Sequence, residues 1–211
     1  FNSVEKQIDN LYVACGNEQL DEARSKHFFI LVESLSIKIG GNNNNDALRA
    51  LLLQRSVAYS TLQNFDAAIA DATTLLSIDS TSAMAYWHRA VCQMAMSGFK
   101  ASNGVDVKLQ EAGALSDLNK AIALKPQNAY LYYCRANLYA HQGNKEKAVA
   151  DYTSAIKLDN RFAEAYFNRG LTYITLDNRS QGVKDLSKAG ELGLYSAYNI
   201  IKKNSASATK K

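Results

Sequence analysis

Residues 163–189 read AEAYFNRGLTYITLDNRSQGVKDLSKA, and the order of residue types in this stretch decides the fold. Tyr166, Arg169 and Tyr173 follow one another at spacings of three and four, which places them on one face of a helix. Asn178 breaks the pattern nine residues after the arginine, and its side chain suits a turn because it tolerates left-handed backbone. Gly182, Asp185 and Ala189 then resume the three- and four-residue spacing. Gly170 and Gly182 supply small residues where two helices must touch closely. The stretch is predicted to be two helices joined by a tight turn.

The same order recurs upstream. Leu52-Leu53-Gln54-Arg55-Ser56, Tyr86-Trp87-His88-Arg89-Ala90 and Tyr132-Tyr133-Cys134-Arg135-Ala136 match Tyr166-Phe167-Asn168-Arg169-Gly170, with arginines 34, 46 and 34 residues apart (89−55, 135−89, 169−135). A second series, Asp71, Asp117, Asp151 and Asp185, follows each arginine by 16 residues, except that Asp117 follows Arg89 by 28. One insertion of 12 residues (28−16) accounts for the whole irregularity. Small residues hold their register too: Ala68, Ala114, Ala148 and Gly182 lie three before each aspartate, and Ala121, Ala155 and Ala189 lie four after it, where the first unit has Leu75. Tyr59, Tyr139 and Tyr173 sit one turn past their arginines, Asn64, Asn144 and Asn178 mark the turns, and Pro126 ends the second unit.

This register resembles the tetratricopeptide repeat (TPR) family over about residues 49–194, in four units. The resemblance implies an all-α fold, an α-α superhelix of stacked antiparallel helix pairs, in a protein-interaction scaffold. Its end, Asp185-Leu186-Ser187-Lys188-Ala189-Gly190-Glu191-Leu192-Gly193, is similar to terminal repeats of bacterial TPR proteins of unassigned role. The repeated arginine departs from the family, which commonly has leucine there.

Around the repeats, residues 1–39 are expected to form a divergent hairpin, with Val4, Ile8, Leu11 and Tyr12 on its first helix and Cys15-Gly16-Asn17 at its turn. A flexible Gly/Asn link follows over 40–48, with Asp46 as the helix N-cap. The insertion falls within 97–113, with Gly98, Phe99, Ser102, Asn103 and Gly104 at its tip. Residues 195–203 are predicted to be a capping helix and 204–211 a disordered tail. A chain opening on Phe1 rather than Met is expected to be a piece of a longer polypeptide.

Four arginines and four aspartates in fixed register admit two readings, a charged binding stripe or a structural ladder. Each arginine lies between a core residue three before it, aromatic in three of the four units, and one four after it. Its stem is therefore expected to be packed, with the planar guanidinium forking onto a carboxylate of a neighbouring helix. The ladder of Arg55, Arg89, Arg135, Arg169, Asp71, Asp117, Asp151 and Asp185 is the expected outcome.

Family geometry puts the first helix of each pair on the concave side. The residues facing inward there include Leu53, Met84, Trp87, His88, Tyr130, Tyr133, Asn137, Phe167, Asn168 and Leu171. None is cationic, whereas TPR domains that clamp chaperone tails use lysines, an arginine and asparagines on this wall. Binding of a chaperone C-terminal carboxylate is therefore not expected. An aromatic and apolar wall with a few polar neighbours fits an apolar or aromatic peptide segment of a partner protein. Self-association as a structural module is the alternative, and an RNA-binding helical repeat ranks third.

No enzyme is expected. His88, Cys134 and Asn168 occupy equivalent places on successive helices and evoke a thiol-protease grouping. Helix axes ~8–10 Å apart strain the short contact that a nucleophile and base need, and no oxyanion hole is evident. No HExxH, phosphate loop or cofactor motif is present. Three cysteines, Cys15, Cys92 and Cys134, without a CxxC pair argue against a metal knuckle or disulfide framework. A net charge of +4, partly in the terminal lysines, does not favour nucleic acid. No apolar run approaches the ~18–20 residues of a membrane span. The compartment, cytoplasm or cell envelope, stays open.

Overall fold

A computed structural model of the chain describes residues 22–42, 44–102 and 108–208, which divide into two compact units, Phe1–Leu124 and Lys125–Lys211. The first unit contains α1 (Glu22–Gly40), α2 (Asn45–Thr61), α3 (Phe65–Ile78), α4 (Ala83–Ser102) and α5 (Lys108–Leu124). The second contains α6 (Ala129–His141), α7 (Lys145–Leu158), α8 (Ala163–Thr175), α9 (Arg179–Glu191) and α10 (Ser196–Ala208). Among the described residues there is no strand. Val4, Ile8, Leu11, Tyr12 and the turn at Cys15-Gly16-Asn17 lie outside the described residues, as do Asn103 and Gly104.

Three-residue turns join α2 to α3, α6 to α7 and α8 to α9, and a connection that short forces antiparallel neighbours. The turns are built differently from the sequence expectation. The left-handed residue is the one before the asparagine: Gln63 (φ 59°), Gly143 (φ 78°) and Asp177 (φ 58°). Asn64 and Asn178 keep negative φ and cap the next helix, their side chains accepting from the Ala67 and Gln181 amides at 3.3 Å. In these two turns one residue reverses the chain and the next satisfies a helix donor that would otherwise be bare, whereas Asn144 makes no side-chain cap bond.

Helix pairs pack through their small residues. Ala90, Ala136, Ala68, Ala114, Ala148, Ala121, Ala155 and Ala189 are wholly buried. The α8–α9 contact is close: a Cβ on Gly182 would stand 2.6 Å from Ile174 Cγ1 and 2.8 Å from the Gly170 carbonyl oxygen. In the α2–α3 pair the position of Gly170 is held by Ser56, whose hydroxyl donates to the Ala68 carbonyl at 2.6 Å.

Three boundaries differ from expectation. Helix α2 begins at Asn45, inside the expected link, because Asn44 rather than Asp46 is the N-cap; its Oδ1 accepts from the Asp46 and Ala47 amides at 2.8 and 3.3 Å. Asp46 instead occupies the first turn, where a carboxylate complements the helix dipole. The insertion lengthens α4 as far as Ser102, so Gly98 lies within a helix. The Ser97 hydroxyl, paired with Glu111 Oε1 at 3.4 Å, ties the extension of α4 to α5. Helix α10 runs to Ala208, through the expected cap and into the expected tail.

Candidate functional site

The four arginines and aspartates form one repeated motif. Nε and Nη2 of each guanidinium donate to the two carboxylate oxygens of the aspartate on the following helix: Arg55 to Asp71 at 2.8 and 2.7 Å, Arg89 to Asp117 at 2.7 and 2.8 Å, Arg135 to Asp151 at 2.7 and 2.9 Å, and Arg169 to Asp185 at 2.7 and 2.9 Å. The insertion leaves this geometry unchanged at Arg89. All four aspartates are buried. Hydrogen bonds from Arg55, Arg89 and Arg135 to their aspartates hold these guanidinium groups above their ordinary pKa.

The remaining nitrogen reaches backwards. Nη1 of Arg55 donates to the Ser36 hydroxyl at 3.0 Å, Arg89 to Thr73 at 3.1 Å and Arg169 to Thr153 at 3.0 Å. Each of these guanidinium groups thus ties its own helix pair to the helix before it. Aromatic rings flank the cations: Tyr59 for Arg55, Tyr86 for Arg89, Tyr132 for Arg135, and both Tyr166 and Tyr173 for Arg169, with centroids 5.6–5.9 Å away.

The first-helix residues behave differently in the two units. In the first, Leu53 is buried, Trp87 is 3% exposed and His88 is fully interior, leaving Met84 half-buried. Burial pushes the His88 imidazole down to about 4, partly offset by a hydrogen bond with the Ser56 backbone, so the ring is neutral near pH 7. Its Nε2 lies 3.7 Å from the Cys92 sulfur, one turn along α4. A neutral imidazole sealed in a core cannot serve a substrate as a general base.

In the second unit the rings of Tyr130, Tyr133, Tyr152 and Phe162 gather. Tyr130 lies nearly parallel to Phe162 (16°, centroids 6.2 Å), and Tyr133 is 4.8 Å from Phe162 and 6.0 Å from Tyr152. Tyr130 is 39% exposed. Beside the rings, Asn168 Nδ2 donates to the Tyr133 hydroxyl at 3.1 Å and to Asn137 Oδ1 at 3.0 Å, and the Tyr152 hydroxyl donates to the same Asn137 oxygen at 2.7 Å. These bonds lock α6, α7 and α8 together and orient both amides. Burial raises the Tyr133 and Tyr152 phenols above their usual range, so both stay protonated.

Phe167 and Leu171 are half-buried and pack instead on the Leu186, Ala189 and Ala197 cluster. Tyr152 and Phe162 escaped the sequence reading. A signal existed for Tyr152: it follows Asp151 where other units carry Ala72, Leu118 and Leu186, and a buried phenol needs a polar partner. Among the described residues no group of His, Cys, Asp and Glu side chains could hold a metal ion. No described helix is long and apolar enough to cross a membrane.

Comparison with known families matches "TPR repeat" to residues 136–177 and "Tetratricopeptide repeat" to residues 118–150 and 163–192. No curated protein matches the sequence. Among solved structures the chain is similar to MamA (24% identity, 86% of this chain and 99% of that one, TM-score 0.69). It is also similar to TTC0263, a thermophilic TPR protein in Thermus thermophilus (17% identity, 97% of both chains, TM-score 0.67). A third likeness is to the first TPR of Spaghetti (RPAP3) bound to the HSP90 peptide SRMEEVD (21% identity, 61% of this chain and 93% of that one, TM-score 0.54). With helix pairs in one register and repeat matches spanning 118–192, the chain carries tetratricopeptide repeats and has the tetratricopeptide-repeat fold.

Proposed function

We propose that this TPR scaffold binds an apolar or aromatic peptide segment of a partner protein, and that it does so without catalysis. The observation that carries the reading is the half-open ring set of the second unit. Tyr130 stacks on Phe162 beside Tyr133, with the Asn137–Asn168 pair already oriented next to them. Rigid, partly exposed rings with fixed polar neighbours anchor side chains at small entropic cost. Tyr130, Tyr133, Asn137 and Asn168 are the principal contact residues, with Phe167 and Leu171 contributing apolar surface, whereas Met84 lies in the first unit and is not part of this ring set. Leu53, Trp87 and His88, named with them on sequence grounds, are interior to the first unit. No lysine or arginine belongs to this set, so an acidic chaperone tail finds no counter-charge.

Panning random displayed peptides against the full chain tests the proposal. Enrichment of apolar and aromatic segments is expected, with capture reduced about tenfold by Tyr130→Ala, a partly exposed anchor whose loss leaves the core intact. The peptide SRMEEVD should not bind. Enrichment of acidic C-termini, or capture indifferent to both Tyr130→Ala and Asn168→Ala, refutes it.

A further inference from the structure

Helix α1 is apolar on two opposite sides. Leu35 is buried and Phe28, Leu31, Val32 and Ile39 are half-buried on the side that packs within the first unit. On the opposite side Phe29, Ile30 and Ile37 are 60, 57 and 78% exposed. Ile30 and Ile37, seven residues apart, share one outward stripe at 3.6 residues per turn, and Phe29 flanks it. Large exposed apolar patches mark interaction sites.

The charges on this face say what covers it. Lys26 and Glu33 are exposed in the same stripe, one on each side of the Phe29–Ile30 pair. Seven residues separate them by about 10 Å along the axis, too far to pair with each other. Among the described residues neither has an ion-pair partner. The midpoint between Lys26 and Glu33 is also the midpoint between Phe29 and Ile30. Two copies of α1 laid antiparallel about that point therefore place Lys26 against the partner's Glu33, Glu33 against the partner's Lys26, and Phe29 against the partner's Ile30. Two-fold symmetry makes every contact twice.

We infer that the outward face of α1 is a self-complementary docking surface for a second copy of this chain, with the two α1 helices antiparallel and centred on Phe29 and Ile30. This surface is separate from the ring set of the second unit, so either can fail without the other.

Light scattering and sedimentation of the full chain over a concentration series test the inference. A monomer–dimer equilibrium is expected. Lys26→Glu and Glu33→Lys, each creating two like-charge contacts, should weaken it about tenfold, and the Lys26→Glu/Glu33→Lys double variant should recover most of the loss because the charges again oppose. Ile30→Asp should leave a helical monomer by circular dichroism. The rescue is the decisive readout, since a merely sticky face would not show it. A chain monomeric up to about 0.5 mM overturns the inference, whether the face is bare or covered by residues 1–21. A dimer insensitive to the charge reversals, or one not restored by the double variant, overturns it as well.

Discussion

Lowering the pH should loosen the first unit through one buried ring. His88 titrates near 6.5 in an unfolded chain and at about 4 in the fold, because burial disfavours the charged imidazole. The unfolded chain therefore takes up the proton first. The stability held by the neutral ring is complete above pH about 6.5 and drains as the pH falls toward 4. That lowering is worth about 3 kcal/mol when fully expressed, and about 2 kcal/mol is lost between pH 7 and pH 5. Trp87, the chain's single tryptophan and a neighbour of His88 with ring centroids 6.5 Å apart, reports on this unit directly. Denaturant titrations followed by its fluorescence at pH 7, 6 and 5 should give a falling midpoint for the wild type and a nearly flat one for His88→Leu. Asp79, held low by hydrogen bonds from Thr81 and Arg49, titrates beneath this window. Equal slopes in both proteins would show that His88 is not the responsible group.

Two further outcomes concern packing. Arg135→Ala should cost about 2 kcal/mol, less than a fully buried pair because the side chain keeps 20% exposure. A double-mutant cycle with Asp151→Ala should show a coupling of at least about 1 kcal/mol, and a coupling near zero would return the ladder to the status of a surface stripe. Gly182→Ala, which would stabilise an ordinary exposed helix, should here destabilise by about 1–3 kcal/mol, since the methyl meets the Gly170 carbonyl oxygen. A rise in melting temperature would refute that.

Much of the fold was legible because repetition turns single residues into a register. Arg135 alone says nothing, yet four arginines each followed by an aspartate define helix pairs and locate the insertion. Helix ends were less legible. Asn44 and Asp46 are both good caps by type, and only backbone geometry chose between them. The site was legible in residue type but not in exposure. Trp87 and Tyr133 hold equivalent places in the repeat, yet one is interior and the other half-buried. The partners that complete the ring set, Tyr152 and Phe162, come from a second helix and a turn, where a rule read from the first helices does not look.

The backward reach of Arg55, Arg89 and Arg169 onto Ser36, Thr73 and Thr153 has a consequence for how such a chain can be cut and rejoined. The hydroxyl sits two residues after the aspartate in the α3 and α7 helices, so each module there carries a socket for whichever module follows. A junction between modules keeps this tie wherever the socket meets a guanidinium, and a graft that ignores it leaves that donor to solvent at the seam.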